Sequence, residues 1–525
     1  MTLQPSISTS SNLPKRTDYL LALLFAIFTL GFSTISGKPL SMHEARVPQL
    51  ASEMQQEGRW LLPHSGGRPW LERPPLPHIS TRISYELFGK SVFSARLPNV
   101  VAGIGIVLLG TWIAGRTLGR AAGFLTGLLL CTTYEFYIYA GQAEDDIYLA
   151  LLVAIAFAAF IRMQQLPPPE KWKPLGNRPV WVWLFYVMLG LTSLAKGPGP
   201  GAVILVVGSV ASAVAGGWQS WRRWVWPIGW LLAIALFLAW PVYAYQHYPS
   251  VLGNWHYDLI GGDFESGNKP IWYYFERLPG VLLPWTPLAL LGLWVAWKHR
   301  KQDRTLLAIA AFALVPVLVM SLSSRKHHHY LVPLILPWTM LAAGTFVKVA
   351  PDWCRKLNWR PSTMRRVVAI TLAVIAIGAN VAQFLAYRSG RRTAQRDFAI
   401  EAGRAVPEGE PLVIVPGGRL EVFQFMFYSP RTMSVAQTPD YLLGTDMPAG
   451  PFYVLTQNRE AGDIRAKVGS AERVLELDDG RHESGEPNQW SLFKVTRDPA
   501  KPQREPLPVP DVMQAMGRSE LPTYE

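Results

Sequence analysis

Three acids, Glu144, Asp145 and Asp146, stand together at the start of the apolar run "DIYLALLVAIAFAAF". Ionisable groups beside so apolar a stretch are costly to keep and usually serve a reaction or an ion pathway. A carboxylate at Asp146, at the opening of a helix, gains a few tenths to about 1 kcal/mol from the helix dipole. A helix cap in a solvated loop is the alternative, but a cap needs one acid and three are present. Lys196 in "SLAKGPGPG" lies between two further apolar runs. Flanked by glycine and proline, it leaves backbone open and offers a point charge that suits a phosphate, with a snorkelling lysine as the plainer reading. "WLERPPLPH" (70–78) sets Glu72 and Arg73 on a turn stiffened by two prolines, where they form either a salt bridge or a pair aimed at a ligand. "SSRKHHHYLVP" (323–333) supplies Arg325 and Lys326, a second anion-binding candidate, and three consecutive histidines. Successive helical residues point about 100° apart, so the three imidazoles do not meet at one ion. One or two of them could join ligands from elsewhere, such as Glu72 and His256, around a divalent metal.

These residues punctuate a chain of 525 residues that is 50% hydrophobic and only 17% charged. A span needs about 20 mostly apolar residues. The stretches that qualify are 18–36, 96–115, 121–140, 146–163, 179–195, 199–216, 225–243, 279–297, 305–322, 330–348 and 367–387, which predicts about eleven transmembrane helices. The 21 Trp and 19 Tyr suit the many membrane–water interfaces such a chain creates. No small-residue cleavage site follows Lys15 and Arg16, so the first stretch reads as a retained span rather than a signal peptide. The net charge of +13 lies in short loops between apolar runs, which makes it topological and excludes nucleic acid as its reason. Two cysteines, Cys131 in an apolar run and Cys354 in a basic loop, imply no disulfide framework.

Basic residues set the orientation, because short positive loops resist translocation. Arg116 and Arg120; Lys171, Lys173 and Arg178; Arg222 and Arg223; Lys298, Arg300, Lys301 and Arg304; and Arg355 to Arg366 fall in every second loop. With the N-terminal tail in the cytoplasm, residues 37–95, 141–145, 196–198, 244–278, 323–329 and everything after 388 face the other side. The first and largest of these outer loops includes "SMHEARVPQLASEMQQEGRW", whose helical spacing of apolar and polar residues suits an amphipathic helix lying along the interface. After 388, "PLVIV" (411–415), "VFQFMFY" (422–428), "FYVLT" (452–456), "RVLEL" (473–477) and "WSLFKV" (490–495) read as short strands between turns. The predicted organisation is a cytoplasmic tail (1–17), a transmembrane domain (18–387), an extracytoplasmic α/β domain (388–497) and a Pro-rich disordered tail (498–525).

In order, "HEARVPQLASEM", "GRWLLPHSGGRPWLERPPLPHISTRISYELFG", "ARLPNVVAG", "AEDDIYLALL", "SLAKGPGP", "KPIWYYFERLPGVLLPW" and "SSRKHHHYLVPLILP" resemble the bacterial aminoarabinose transferase and protein O-mannosyltransferase group of GT-C glycosyltransferases (family 39/83-like). The resemblance covers roughly residues 19–345. It implies an all-α polytopic GT-C protein with a large first extracytoplasmic loop, here followed by a small α/β soluble domain. It also implies transfer of a sugar from a polyprenyl-phosphate donor to an acceptor outside the cytoplasm: a lipid A-like lipid, a protein or another envelope glycan. The protein would then be a multi-pass enzyme of the cell inner membrane, in contact with membrane lipids.

By the same resemblance, Asp146 takes the place of an acidic site residue, Lys196 and Arg73 match basic positions near the lipid phosphate, Glu72 matches the acid of E-K-P-P-L, and Arg46 and Glu44 match the D-E-x-R element. The first acid of D-E-x-R, the family's base, is His43 here. Either His43 or Glu44 takes that role, and an imidazole is a competent base near neutral pH. The expected site is therefore Glu44, Asp146 and His43 for the chemistry; Lys196, Arg73, Lys326 and Arg46 for the donor phosphate; and Glu72 with His256 as the alternative metal ligands. A lipid or glycan transporter, and a family member that binds but no longer turns over, are the rival readings.

The orientation is open to direct measurement. In intact cells a membrane-impermeant maleimide is expected to leave native Cys354 unlabelled until the membrane is permeabilised, and to label a cysteine placed at Glu410 at once. The reverse pattern would invert the topology.

Overall fold

The computed structural model describes residues 13–166, 178–197, 199–217, 224–249, 251–252, 255, 269–323, 326–388, 390–416, 420–436, 438–444, 450–478 and 483–501. The chain divides into two compact units. One comprises residues 1–35, 96–242 and 266–382, and the other residues 36–95, 243–265 and 383–525.

The first unit is a bundle of apolar helices. Six are long and apolar enough to cross a membrane: Arg16–Ile35, Val92–Leu118, Asp146–Gln165, Pro227–His247, His328–Lys356 and Pro361–Leu385. Two more candidates are broken pairs, Arg120–Thr132 with Tyr134–Ala140 (69°) and Tyr273–Val281 with Thr286–Lys298 (115°). Three shorter apolar helices, Val180–Lys196, Pro200–Gly216 and Arg304–Met320, complete the set among the described residues. Each of the eleven predicted stretches falls on one of these. The eighth, however, is not one straight rod over 279–297, and the third bends within 121–140. Asp146–Gln165 and His328–Lys356 are each 83% buried over their most apolar window, against 22% for Pro227–His247 and Pro361–Leu385. The first two therefore form the centre of the bundle and the last two offer most of their surface to the surroundings.

A break inside an apolar bundle exposes backbone groups that hydrocarbon cannot satisfy. Here the two breaks satisfy each other. Tyr134 N donates to Leu283 O at 2.8 Å, and the Trp285 indole donates to Thr132 Oγ1 at 3.0 Å. Small residues set the closest helix approach, between Val92–Leu118 and Arg120–Thr132: a Cβ on Gly123 would lie 2.5 Å from Gly115 Cα.

The second unit joins the first outer loop to the C-terminal region. Helix Met42–Gln56 starts in a reciprocal capping box, with Ser41 N donating to Glu44 Oε2 at 3.0 Å and Glu44 N to Ser41 Oγ at 3.2 Å. It packs on Leu76–Phe88 and Glu421–Tyr428. This corrects the expectation of an amphipathic helix lying along the interface. Its polar residues Gln49, Ser52 and Glu53 are buried along with Ala45, Val47, Leu50 and Met54. Glu53 finds its partners inside: Gln49 Nε2 at 2.9 Å and the Gly67 amide at 3.3 Å. Burial still pushes its pKa above the usual carboxylate value. The donating amide belongs to the tight turn between β1 (His64–Ser65) and β2 (Arg68–Pro69). Gly66 there has φ +60° and backs onto Val435, so a side chain is excluded twice over.

The C-terminal sheet comprises β3 (Leu412–Ile414), β4 (Ser434–Val435), β5 (Phe452–Gln457), β6 (Gly469–Glu476) and β7 (Trp490–Arg497), in the order β4-β3-β5-β7-β6. β3 runs parallel to β4 and β5, while β7 is antiparallel to β5 and β6. Alternate residues feed two cores. Leu412, Ile414, Tyr453, Leu455 and Leu492 meet Phe398, Phe425 and Met426 on one face, and Val413, Phe452, Val454, Phe493 and Val495 meet Ile464 and Leu442 on the other. The predicted strand 422–428 is instead the helix Glu421–Tyr428, buried over nearly its whole length, with Gln424 as the one polar residue among apolar ones and so no clear period to read. Residues 498–501 form a turn tied back by Asp498 N to Val468 O at 3.0 Å, and the rest of the predicted tail lies outside the described residues.

Gly123→Val is expected to lower the thermal midpoint of the solubilised chain by an overpacking cost of about 1–3 kcal/mol. Gly378→Ala, at a helical position with open space around it, is expected to hold or raise the midpoint. Equal melting of the two variants would contradict the packing described here.

Candidate functional site

In the membrane bundle the described charges gather where Asp146–Gln165 begins. Asp145 caps that helix and Asp146 opens it, and both are buried. The turn before them is fixed by Asn99, whose Nδ2 donates to Glu144 O at 2.6 Å and whose Oδ1 accepts from Tyr148 OH at 3.0 Å. Lys196 ends the short helix Ser193–Lys196, which closes on Gly197 at φ +80°. Its buried ammonium group donates to Asp146, lies 3.8 Å from Asp145 and sits 5.5 Å from the centre of the Tyr330 ring. An unpaired charge here would suffer the full desolvation penalty, so these groups hold one another.

Two neighbours of this cluster escaped sequence reasoning. Glu135, in Tyr134–Ala140 just after the break at Thr133, lies 3.8 Å from His328 Nε2, and Tyr139 OH is 3.4 Å from the same nitrogen. Lys269 pairs with Lys326 in a reciprocal clasp: Lys269 Nζ donates to Lys326 O at 2.9 Å, and Lys326 Nζ donates to Lys269 O at 2.8 Å. Lys326 is buried, so the clasp holds two ammonium groups close together and shields one of them from water. A lone acid in an aromatic run and a lysine ahead of "PIWYY" carried no motif. Only the cost of an ionisable residue near apolar stretches could have flagged them.

In the second unit, Glu44 is fully buried and heavily engaged. Besides its capping box it lies 4.0 Å from Lys38 Nζ and 3.9 Å from Arg392 Nη1. His43, the residue before it, is exposed as a residue, with its imidazole partly desolvated. Partial desolvation, with the charges of Arg46 and Arg392, holds its pKa below the ordinary imidazole value, while Glu421 pulls the other way. Glu72 lies between two guanidinium groups, 3.8 Å from Arg46 and 3.4 Å from Arg73. Those cations satisfy the carboxylate that was also weighed as a metal ligand. Its suggested co-ligand His256 lies outside the described residues, as does Arg325. Among the described residues no group of three His, Cys, Asp or Glu side chains is arranged to hold an ion.

The profile of the dolichyl-phosphate-mannose-protein mannosyltransferase family matches residues 72–245, and that of the Alg9-like mannosyltransferase family matches residues 262–395. The undecaprenyl phosphate-alpha-4-amino-4-deoxy-L-arabinose arabinosyl transferase of Aeromonas salmonicida is 26% identical over 378 residues, 69% of this chain and 66% of that protein. The crystal structure of ArnT from Cupriavidus metallidurans bound to undecaprenyl phosphate has the same fold, with a TM-score of 0.69 at 18% identity over 91% of this chain and 97% of that one. The chain has the GT-C fold and is similar to the glycosyltransferases of the aminoarabinose transferase group. An oligosaccharyltransferase from Archaeoglobus fulgidus shares the GT-C architecture more distantly, with a TM-score of 0.53 at 11% identity over 85% of this chain and 70% of that one. The match spans just under two thirds of the Aeromonas salmonicida relative's length. Of the two candidate bases, Glu44 is buried in a capping box and beside two cations, while His43 is exposed.

Lys196→Met strands a buried carboxylate and is expected to cost about 3–5 kcal/mol of stability, read as a lowered thermal midpoint of the full chain in detergent. Adding Asp146→Asn should restore most of that loss. A Lys196→Met protein that melts like the wild type would show that the pair does not hold these helices.

Proposed function

We propose that this protein is an integral-membrane glycosyltransferase that moves a sugar from a polyprenyl-phosphate donor to an acceptor hydroxyl on the extracytoplasmic side, with the C-terminal domain on that same side. The observation that carries this reading is the buried Asp146–Lys196 pair together with the Lys269–Lys326 clasp, both within the first unit, in a chain whose relatives are named for undecaprenyl-phosphate-linked sugar donors. A bundle that served only as an anchor would have no use for such charge.

In this reading the acceptor O–H loses its proton to His43, and its oxygen attacks the anomeric carbon. The bond from that carbon to the phosphate oxygen breaks, and the lipid phosphate leaves with the electron pair. A single displacement inverts the anomeric centre. Lys326 and Lys269 offset the charge that grows on the phosphate, the largest electrostatic contribution such a site can make. Lys196 holds Asp146 by a direct hydrogen bond, and that carboxylate favours positive charge developing at the sugar. Arg46 and Arg73 remain basic groups for the donor, held in place by Glu72. The donor of the aminoarabinose relatives is the first sugar to test, with a lipid A-like lipid as acceptor.

The test is transfer by the full chain in vesicles, supplied with undecaprenyl-phosphate-linked 4-amino-4-deoxy-L-arabinose or with polyprenyl-phosphate mannose. Turnover with either supports the reading, and donor binding without turnover on any acceptor would favour the lapsed family member. Because only neutral His43 accepts a proton, kcat/KM should fall as pH drops through its lowered pKa, below 6.5, and level off above it. His43→Asn should cost about 10²–10⁴ in kcat. His43→Asp should move the acid limb down by roughly two pH units, toward the carboxylate range. An acid limb unmoved in His43→Asp would remove His43 from the base role.

A further inference from the structure

We propose that Arg392 and Glu421, both supplied by the C-terminal domain, are positioning residues for the His43–Glu44 segment, which makes that domain a working part of acceptor activation. This rests on the reading of His43 as the base. The contacts all lie within the second unit. Helix Glu421–Tyr428 packs directly on helix Met42–Gln56 and grips the residues just ahead of it. Gln424 Nε2 donates to Leu40 O at 2.9 Å, and Leu40 N donates to Tyr428 Oη at 2.7 Å. Both backbone groups of one residue are thus read by side chains one helical turn apart. Phe423 meets Trp70 edge-on at 5.1 Å, tying the same helix to the Glu72–Arg73 turn. From the neighbouring helix Arg391–Ala405, Arg392 reaches Glu44 at 3.9 Å.

The charges around His43 come from three elements: Arg46 on its own helix, Arg392 on the second and Glu421 at the start of the third. Two of the three belong to the C-terminal domain and act in opposite senses. Arg392 disfavours the imidazolium form and Glu421 favours it. The Leu40 clasp and the Trp70–Phe423 contact join the pieces, and Arg392 and buried Glu421 add charge of opposite sign beside the His43–Glu44 segment.

The experiment titrates His43 in the full-length protein in nanodiscs, through the pH dependence of its modification by diethyl pyrocarbonate, read by peptide mass spectrometry. Transfer rates are followed on the same samples. Glu421→Gln should lower the apparent pKa of His43 by about half a unit, and Arg392→Gln should raise it by a similar amount. Arg392→Lys should return it close to the wild-type value, and the acid limb of kcat/KM should track each shift. Titrations that stay put in both variants, or move in the same direction, would overturn the proposal. The modification readout needs no turnover, so a wild-type protein without transferase activity would count against the functional reading while this test still ran. An acid limb that ignores a shifted His43 titration would likewise count against His43 as the base rather than against the contacts.

Discussion

A lysine and two aspartates buried at the mouth of an apolar helix bundle impose a condition that the rest of the bundle must meet. Charge in such surroundings persists only when it is compensated at short range. Lys196 meets that condition through Asp146 and Asp145, and the geometry depends on three different segments arriving together. Asp146 comes from the N-terminus of a central helix, where the dipole favours a carboxylate. Lys196 comes from the last turn of a short helix stopped by Gly197. Tyr330, whose ring faces the ammonium group, comes from the run that leads into the other central helix. Displacing any one of them strands a charge, so the pair works as a lock on the bundle as well as a feature of its chemistry. The helix breaks follow the same logic, since each supplies the hydrogen-bond partner that the other lacks.

The second unit solves a different problem. A loop of some sixty residues between the first two spans carries the residues nearest to acid–base chemistry, and a loop of that length has no rigidity of its own. It gains order by folding with residues far along the chain. Tyr428 and Gln424 hold Leu40, Arg392 reaches Glu44, and the β1–β2 turn rests on Val435. The substitution of histidine for the family's acid at position 43 belongs in this setting. Its neighbour Glu44 is engaged by a helix cap and two cations, which is why the proposed base is the exposed imidazole.

Much of this was legible in the residues, and the reasons for the remainder are physical. The spans announced themselves because a bilayer demands about 20 apolar residues and little else satisfies that demand. The breaks did not, because the residues at Thr133 and Pro284 look like ordinary interruptions until their mutual hydrogen bonds are seen. Asp146 and Lys196 stand out in the sequence as charge beside apolar runs, but their direct pairing across fifty positions could not be read there. Lys326 was anticipated, and its partner Lys269 was not, since a backbone-mediated clasp leaves no sequence motif. The segment 422–428 looked like a strand because aromatic residues and a valine dominate it and its one polar residue, Gln424, is buried like the rest. Glu44 drew attention as a conventional acid, although "S-x-x-E" ahead of an apolar helix was already a capping signature at Ser41.

The account turns on buried charge in the bundle serving transfer and not the fold alone. The most direct measurement is the transfer rate, in vesicles, of the double variant Asp146→Asn/Lys196→Met, in which the closest ion pair is removed as a unit and the side-chain volumes are nearly kept. The account predicts a folded protein whose transfer falls by about 100-fold or more, on the scale of losing one preorganised electrostatic group. Transfer at the wild-type rate from a protein that melts normally would contradict it.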